Sequence, residues 1–204
     1  MGDAETPPRR YTVTEYFALE EAGDVRHEFF EGEVFAMAGE SKAHNLITGN
    51  IYMGLRLALR GRGCQVFMEN VQLTVRQEQQ YVYPDVQVTC DPQDAQQTRR
   101  IESPVLLVEV LAPSTAYYDR GHKFKKYKTL PSLQHYLLVA QNRWLVEWYR
   151  RTASNEWTHT VLTEPTEEIV VPELNFRLTL AQVYEDTEVA PLRPHFPDPA
   201  DDAE

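Results

Sequence analysis

The chain has 204 residues and a formal net charge of −11, and 42% of its residues are hydrophobic and 11% aromatic. This length and composition suit one globular core and exclude a disordered chain. No apolar run reaches the about 18 residues of a membrane span. The N-terminus also lacks the apolar segment of a secretory signal.

The two cysteines, Cys64 and Cys90, are too few for a disulfide framework. Cys90 alternates with Val86 and Val88, so we interpret it as a core residue. A cytoplasmic location without membrane contact is therefore the expectation.

The charge is distributed unevenly along the chain. The last twenty residues, 185–204, hold seven acids and one arginine, whereas residues 119–128 hold five basic residues and one acid. Binding to phosphates depends on local patches more than on the overall sum, so the negative net charge does not exclude a nucleic acid. A solvated helix face is the alternative explanation of the basic run.

The sequence divides into three segments. Residues 1–10 are predicted to form a loose arm, residues 11–185 a single domain, and residues 186–204 an acidic, proline-rich tail that we expect to be disordered.

The first half of the domain is predicted to form a helix, a hairpin, a second helix and two strands. The first helix covers residues 14–22, and the hairpin covers residues 27–38 with Glu31-Gly32 at its turn. Ser41 caps the second helix, which ends near Arg60. Its inward stripe, at spacings of three and four, comprises His44, Ile47, Ile51 and Leu55. Residues 65–76 and 81–90 are predicted to be antiparallel strands.

The second half continues with a polar loop, a buried strand, a helix and further strands. The buried strand covers residues 105–112, and the helix ends near residue 130. Three strands then follow, at residues 134–140, 143–150 and 156–163. This order indicates an α/β protein with a mixed sheet, and the strand 105–112 belongs at its centre, covered on both faces.

Glu109 is the most unusual residue of the buried strand, because its neighbours in Val105-Leu-Leu-Val-Glu-Val-Leu111 are apolar. An unpaired buried carboxylate costs several kcal/mol or more. A metal ion, a nearby lysine or a raised pKa would each compensate that cost.

Asp85 and Lys123 are the residues most suited to join Glu109. If the strands of Asp85 and Glu109 are neighbours, their carboxylates converge at one end of the sheet, and such oxygens suit Mg²⁺ or Mn²⁺. The helix after the Glu109 strand can fold back and direct Lys123 to the same site. Asp119, Lys123 and Tyr127 lie four residues apart and would share a helix face. A structural ion pair between Glu109 and Lys123 is the alternative.

The chain resembles the PD-(D/E)XK nuclease superfamily and, within it, the Uma-two family of restriction-type endonucleases. The resemblance spans about residues 11–140 in consistent order. It rests on Tyr11-Thr-Val-Thr-Glu-Tyr16, His27-Glu-Phe-Phe-Glu-Gly-Glu33, His44 opening a helix, Tyr83-Pro-Asp-Val86, Leu107-Val-Glu-Val-Leu-Ala-Pro-Ser-Thr115, Asp119-Arg-Gly-His-Lys-Phe-Lys-Lys-Tyr127 and His135-Tyr-Leu-Leu-Val139. It implies a restriction-endonuclease-like core, a mixed central sheet flanked by helices in the order αβββαβ, with additional C-terminal strands.

The resemblance also implies a set of site residues. Asp85 and Glu109 would be the metal ligands. The superfamily's lysine follows the glutamate by two residues, where this chain has Leu111, so Lys123 would be a migrated lysine. Glu28 and His44 also match family positions and are candidates for supporting roles, with Asp119 and Tyr127.

The resulting hypothesis is a Mg²⁺- or Mn²⁺-dependent endonuclease that hydrolyses phosphodiester bonds, with DNA as the expected substrate and a homodimer as the expected assembly. A catalytically inactive binding or scaffold protein with the same fold is the alternative. A glycosidase with paired carboxylates is a weaker hypothesis, since it gives Lys123 no role.

Overall fold

The computed structural model of the chain describes residues 9–37, 39–112 and 119–191, with the side chains of Asp119 and Arg120 left undescribed. Its helices are α1 (Val13–Ala22), α2 (Lys42–Ala58), α3 (Phe124–Tyr127) and α4 (Leu180–Val183). Its strands are β1 (His27–Phe30), β2 (Glu33–Ala36), β3 (Gln65–Met68), β4 (Gln72–Arg76), β5 (Gln80–Val82), β6 (Val86–Thr89), β7 (Arg100–Ile101), β8 (Pro104–Leu111), β9 (His135–Ala140), β10 (Val146–Arg151), β11 (Trp157–Leu162), β12 (Glu168–Val171) and β13 (Phe176–Thr179). None of the described helices is long and apolar enough to cross a membrane.

The strands form a large sheet, a small sheet and a short hairpin. The large sheet has the strand order β11-β10-β9-β8-β6-β3, the small sheet the order β2-β1-β5-β4-β7, and β12 pairs with β13. Only β8–β9 and β4–β7 are parallel among the described pairs. The predicted α/β class, with mixed sheets flanked by helices, is confirmed, and β8 lies inside the large sheet as predicted.

The prediction of two long strands at residues 65–76 and 81–90 is wrong in one respect. Each run is broken in the middle, so β3 and β6 pair in the large sheet while β4 and β5 pair in the small one. Glu69 turns the first run with a φ of 51°. Pro84, which lacks a backbone N–H, lies in the break of the second run. The structure therefore has two sheets here where the sequence predicted one.

The two faces of the large sheet bury different side chains. Val108 and Val110 of β8 face α2, whose predicted stripe of Ile47, Ile51 and Leu55 is buried there. Leu107 and Leu111 face the opposite side, with Leu73 of the small sheet and Tyr127. Because side chains alternate along a strand, Glu109 faces this second side.

Both ends of the described chain contact the domain. Residues 1–8 and 192–204, and with them most of the arm and tail, lie outside the described residues. Arg10 donates to the carbonyl oxygen of Glu31 at 2.7 Å. At the other end, the Trp144 indole donates to the carbonyl oxygen of Val189 at 2.7 Å. The first residues after position 186 thus contact the domain.

Cys90 packs against the core, as interpreted, but the sequence analysis did not predict the disulfide that it forms. Cys64 and Cys90 form a disulfide and lie beside the core cluster under α2. The pairing of Gln65 with Thr89 places the two cysteines opposite each other, just beyond the ends of β3 and β6. No sequence pattern indicates this cross-strand position, because it depends on the register. A cytoplasmic location stays a prediction.

Candidate active site

Asp85 and Glu109 come from two neighbouring strands. Val86 of β6 lies opposite Val108 of β8, and extending this antiparallel register by one residue places Asp85 opposite Glu109. Both are buried, with exposed fractions of 6% and 4%. The backbone N–H of Val110 donates to Oδ2 of Asp85 at 2.5 Å. The two strands are therefore neighbours, which was the condition for Asp85 and Glu109 to converge.

Lys123 reaches Glu109 from the segment that follows β8. Its Nζ lies 3.3 Å from Oε1 of Glu109 and 2.9 Å from Oε1 of Glu28 on β1. Only 7% of Lys123 is exposed. A buried ammonium is tolerated when carboxylates surround it, so this contact resolves much of the conflict that the apolar strand posed. It joins the small sheet to the large one through Glu28.

Tyr127 fixes the orientation of the Glu109 carboxylate. Its hydroxyl donates to Oε1 of Glu109 at 2.7 Å. Burial, and then the charge of Glu109, raises the pKa of the Tyr127 hydroxyl well above its ordinary value, so the phenol stays a donor.

The segment that carries Lys123 and Tyr127 is only partly an α-helix. Residues Asp119–Lys123 form a π-helical turn and α3 begins only at Phe124. The predicted helix therefore begins as a π turn and continues as an α-helix. Lys123 and Tyr127 do share a face, since both contact Glu109. The side chain of Asp119 lies outside the described part of the chain.

His44 contributes an imidazole to the same end of β6. It lies in the first turn of α2, where the Ser41 hydroxyl accepts from its backbone N–H. Its Nε2 is 3.3 Å from Oδ2 of Asp85, and its Nδ1 is 2.8 Å from Oε2 of Glu40. Burial lowers the pKa of His44, but hydrogen bonds to Asp85 and Glu40 outweigh it and raise the pKa to about 10.

Two carboxylates near Asp85 were missed by the sequence reasoning. Glu40 lies one helical turn before His44, and this spacing of four was a usable signal. Glu69 had no such signal, because it reaches the site through the break between β3 and β4. Burial, and then the charges of Glu40 and Asp85, raises the pKa of Glu69. Its Oε1 is buried without a hydrogen-bond partner among the described residues.

These side chains fit a divalent cation. One ligand atom each of Glu40, His44 and Asp85 lies within 4.8 Å of the others, and these three residues make up the candidate ligand group of the described chain. Carboxylate oxygens suit Mg²⁺ and Mn²⁺. Glu109 is not in this group. Its role as a ligand shared with Asp85 stays a prediction.

The fold of the chain is shared with a solved structure. A crystal structure described as that of "a putative nuclease belonging to DUF820 from Anabaena variabilis" superposes on the chain with a TM-score of 0.72, covering 85% of this chain and 97% of that one at 16% identity. That identity is low, so the comparison shows a shared nuclease-like fold.

The family follows from the sequence comparisons. The Uma2 family, described as "Putative restriction endonuclease", matches residues 13–181, and the chain belongs to it. It is 39% identical to the Synechocystis protein slr1290 over 74% of this chain and 80% of that protein. It is 34% identical to the Synechocystis protein sll1609 over 78% of this chain and 90% of that protein.

Proposed function

We propose that the chain is a metal-dependent endonuclease that hydrolyses phosphodiester bonds in nucleic acid, with DNA as substrate. The observation that carries the proposal is the buried Lys123 ammonium 3.3 Å from Glu109. Lys123 contacts Glu109 on the face of β8 that also carries Leu107 and Leu111. It does so from the segment after β8, and not from the position two residues after the glutamate where the superfamily motif has its lysine. Membership in the restriction endonuclease family supports the proposal.

The ion would be held by Asp85 with Glu40, by His44 once the cation has displaced its proton, and by Glu109 if it turns toward them. Mg²⁺ or Mn²⁺ in such a site polarises the phosphodiester and lowers the pKa of an attacking water. Lys123 would hold that water or offset the charge developing on the phosphate. Tyr127 and Glu28 would position Glu109 and Lys123, respectively.

Electrostatic attraction would bring the nucleic-acid strand to the site. Lys125 and Lys128 are exposed in the same segment as Lys123, and exposed lysines attract phosphate backbones at a distance that salt controls. Lys126 is instead engaged by Glu31 at 3.3 Å. Substituting Lys125 and Lys128 would weaken substrate binding, while substituting Lys123 would slow the chemical step.

The test is conversion of supercoiled plasmid with Mg²⁺ or Mn²⁺, measured for the wild type and for Asp85→Asn, Glu109→Gln and Lys123→Met. Each substitution removes charge while nearly keeping volume, and we expect rates at least about 100-fold lower, the scale of removing one transition-state interaction. Glu102→Gln, an exposed change of the same kind beside β8, is the control. Equal cleavage by the wild type and Asp85→Asn after matched purification would refute the proposal.

The alternative of a catalytically inactive scaffold makes a different prediction. If no cleavage occurs with any tested DNA or RNA and calorimetry detects no Mn²⁺ binding at millimolar concentrations, the scaffold function is favoured. A homodimer, which would let two sites reach both strands, is proposed by analogy with small nucleases and is tested by sedimentation equilibrium.

A further inference from the structure

A second polar cavity lies on the other face of the small sheet. Phe29 of β1 packs with Tyr16 of α1 and with Tyr81, whereas the next residue inward, Glu28, contacts Lys123. Alternation along β1 therefore separates an α1 side from the candidate active-site side. Gln72 faces the α1 side, since its amide donates to the Tyr16 hydroxyl at 2.9 Å.

The cavity has a volume of about 550 Å³ and three arginines in its lining, Arg26, Arg99 and Arg100. This volume is in the range of small-molecule sites, about 300–1,000 Å³. We call it the arginine cavity. Its floor includes Gln72 and Tyr83, and Tyr83 lies two residues before Asp85 in the chain.

One of the two acids in the lining, Glu20, is already engaged. Oε1 of Glu20 accepts from the backbone N–H of His27 at 2.9 Å, and its Oε2 accepts from the Tyr83 hydroxyl at 2.5 Å. Arg26 is the arginine that this carboxylate meets, at 3.8 Å. The second acid of the lining, Glu21, is exposed and forms no ion pair among the described residues.

Arg99 and Arg100 line the cavity and have no carboxylate partner among the described residues. Within the described residues, neither guanidinium has a carboxylate oxygen within 4.0 Å. The guanidinium of Arg100 lies 5.0 Å from the ring centroid of Phe17, which holds it by a cation–π contact. Two adjacent arginines of this kind present planar forks of N–H donors, the geometry that binds phosphate oxygens in pairs.

We propose that the arginine cavity is an anion-binding subsite that takes the phosphate group of a nucleotide, outside the candidate active site. That phosphate belongs either to a nucleic-acid strand or to a free mononucleotide. The first source rests on the proposed nuclease function, and the second does not.

The decisive variant is the double substitution Arg99→Gln/Arg100→Gln. Its matched control is Arg60→Gln/Arg62→Gln, because these two arginines are exposed, carry the same charge and lie at the end of α2, away from the lining. Both proteins are studied as full chains with EDTA, so that no cleavage occurs. Binding of a fluorescein-labelled oligonucleotide is followed by anisotropy, and binding of dAMP and inorganic phosphate by calorimetry.

We expect the dissociation constant for the oligonucleotide to rise about tenfold in the cavity variant and to change less than about twofold in the control. The slope of log K against log salt is expected to fall by about 1 for each phosphate that the variant no longer neutralises. If the wild type also binds dAMP and the cavity variant does not, the source is a free nucleotide. If the cavity variant loses affinity for the oligonucleotide alone, the source of the phosphate is a nucleic-acid strand.

Two results would overturn the subsite. Equal weakening by the cavity and control variants would show general electrostatic attraction. Unchanged binding of every probe in the cavity variant would leave the cavity without a ligand. Failure of the nuclease proposal is distinguishable, because it appears as absent plasmid cleavage by the wild type whatever its binding.

Discussion

Replacing Lys123 with methionine removes the cation that two buried carboxylates share. At an effective dielectric constant of about 20, a unit charge pair about 3 Å apart is worth roughly 5 kcal/mol before desolvation. Lys123 makes two such contacts, at 2.9 Å to Glu28 and 3.3 Å to Glu109. Desolvation offsets much of that sum, and removing one partner of a buried ion pair costs about 3–5 kcal/mol. We therefore expect the free energy of unfolding to fall by about 3–5 kcal/mol.

The measurement is urea denaturation at pH 7, compared with Lys125→Met. Lys125 is exposed two residues away in α3, so its substitution is expected to change stability by less than about 0.5 kcal/mol. Lys123→Arg keeps the charge and should recover part of the loss. A loss below about 1 kcal/mol for Lys123→Met would refute the reasoning, because it would mean that Glu28 and Glu109 do not depend on this cation.

Three further predictions concern Tyr127, the disulfide and Glu40. Tyr127→Phe keeps the ring and removes the hydrogen bond to Glu109, so urea denaturation should show a loss of about 1.5–3 kcal/mol, the worth of a hydrogen bond to a charged group. Reducing the Cys64–Cys90 disulfide should release two thiols in a thiol assay and lower stability by about 2–4 kcal/mol. Glu40→Gln should weaken Mn²⁺ binding about tenfold or more by calorimetry, and unchanged affinity would exclude Glu40 as a ligand.

The features that the sequence predicted well are those that one element determines by itself. The stripe that begins at His44 follows from helical periodicity, and α2 buries it as expected. The burial of β8 follows from its apolar run. The pairing of β6 with β8, which brings Asp85 toward Glu109, involves two elements and was assumed in the sequence analysis as a condition.

The features that the sequence did not predict depend on where the chain changes direction. The turn at Glu69, with a positive φ, moves the chain from the large sheet to the small one. The same turn lies beside Asp85, whose carbonyl oxygen accepts from the backbone N–H of Glu69 at 3.0 Å. No local pattern of hydrophobicity encodes that turn, because glutamate is an ordinary residue in many other conformations.

Lys123 shows that residues at different sequence positions can place an ammonium beside the same carboxylate. A lysine at position 111 would lie two residues after Glu109, on the same face of β8, and would reach the carboxylate through the strand itself. In this chain Leu111 fills that position and packs with Leu73 and Tyr127. Instead, the π-helical turn after β8 ends at Lys123 and places its ammonium 3.3 Å from Glu109. The carboxylate meets a cation in either arrangement, so the requirement is set by the buried charge of Glu109 and not by the distance between the two residues in the sequence.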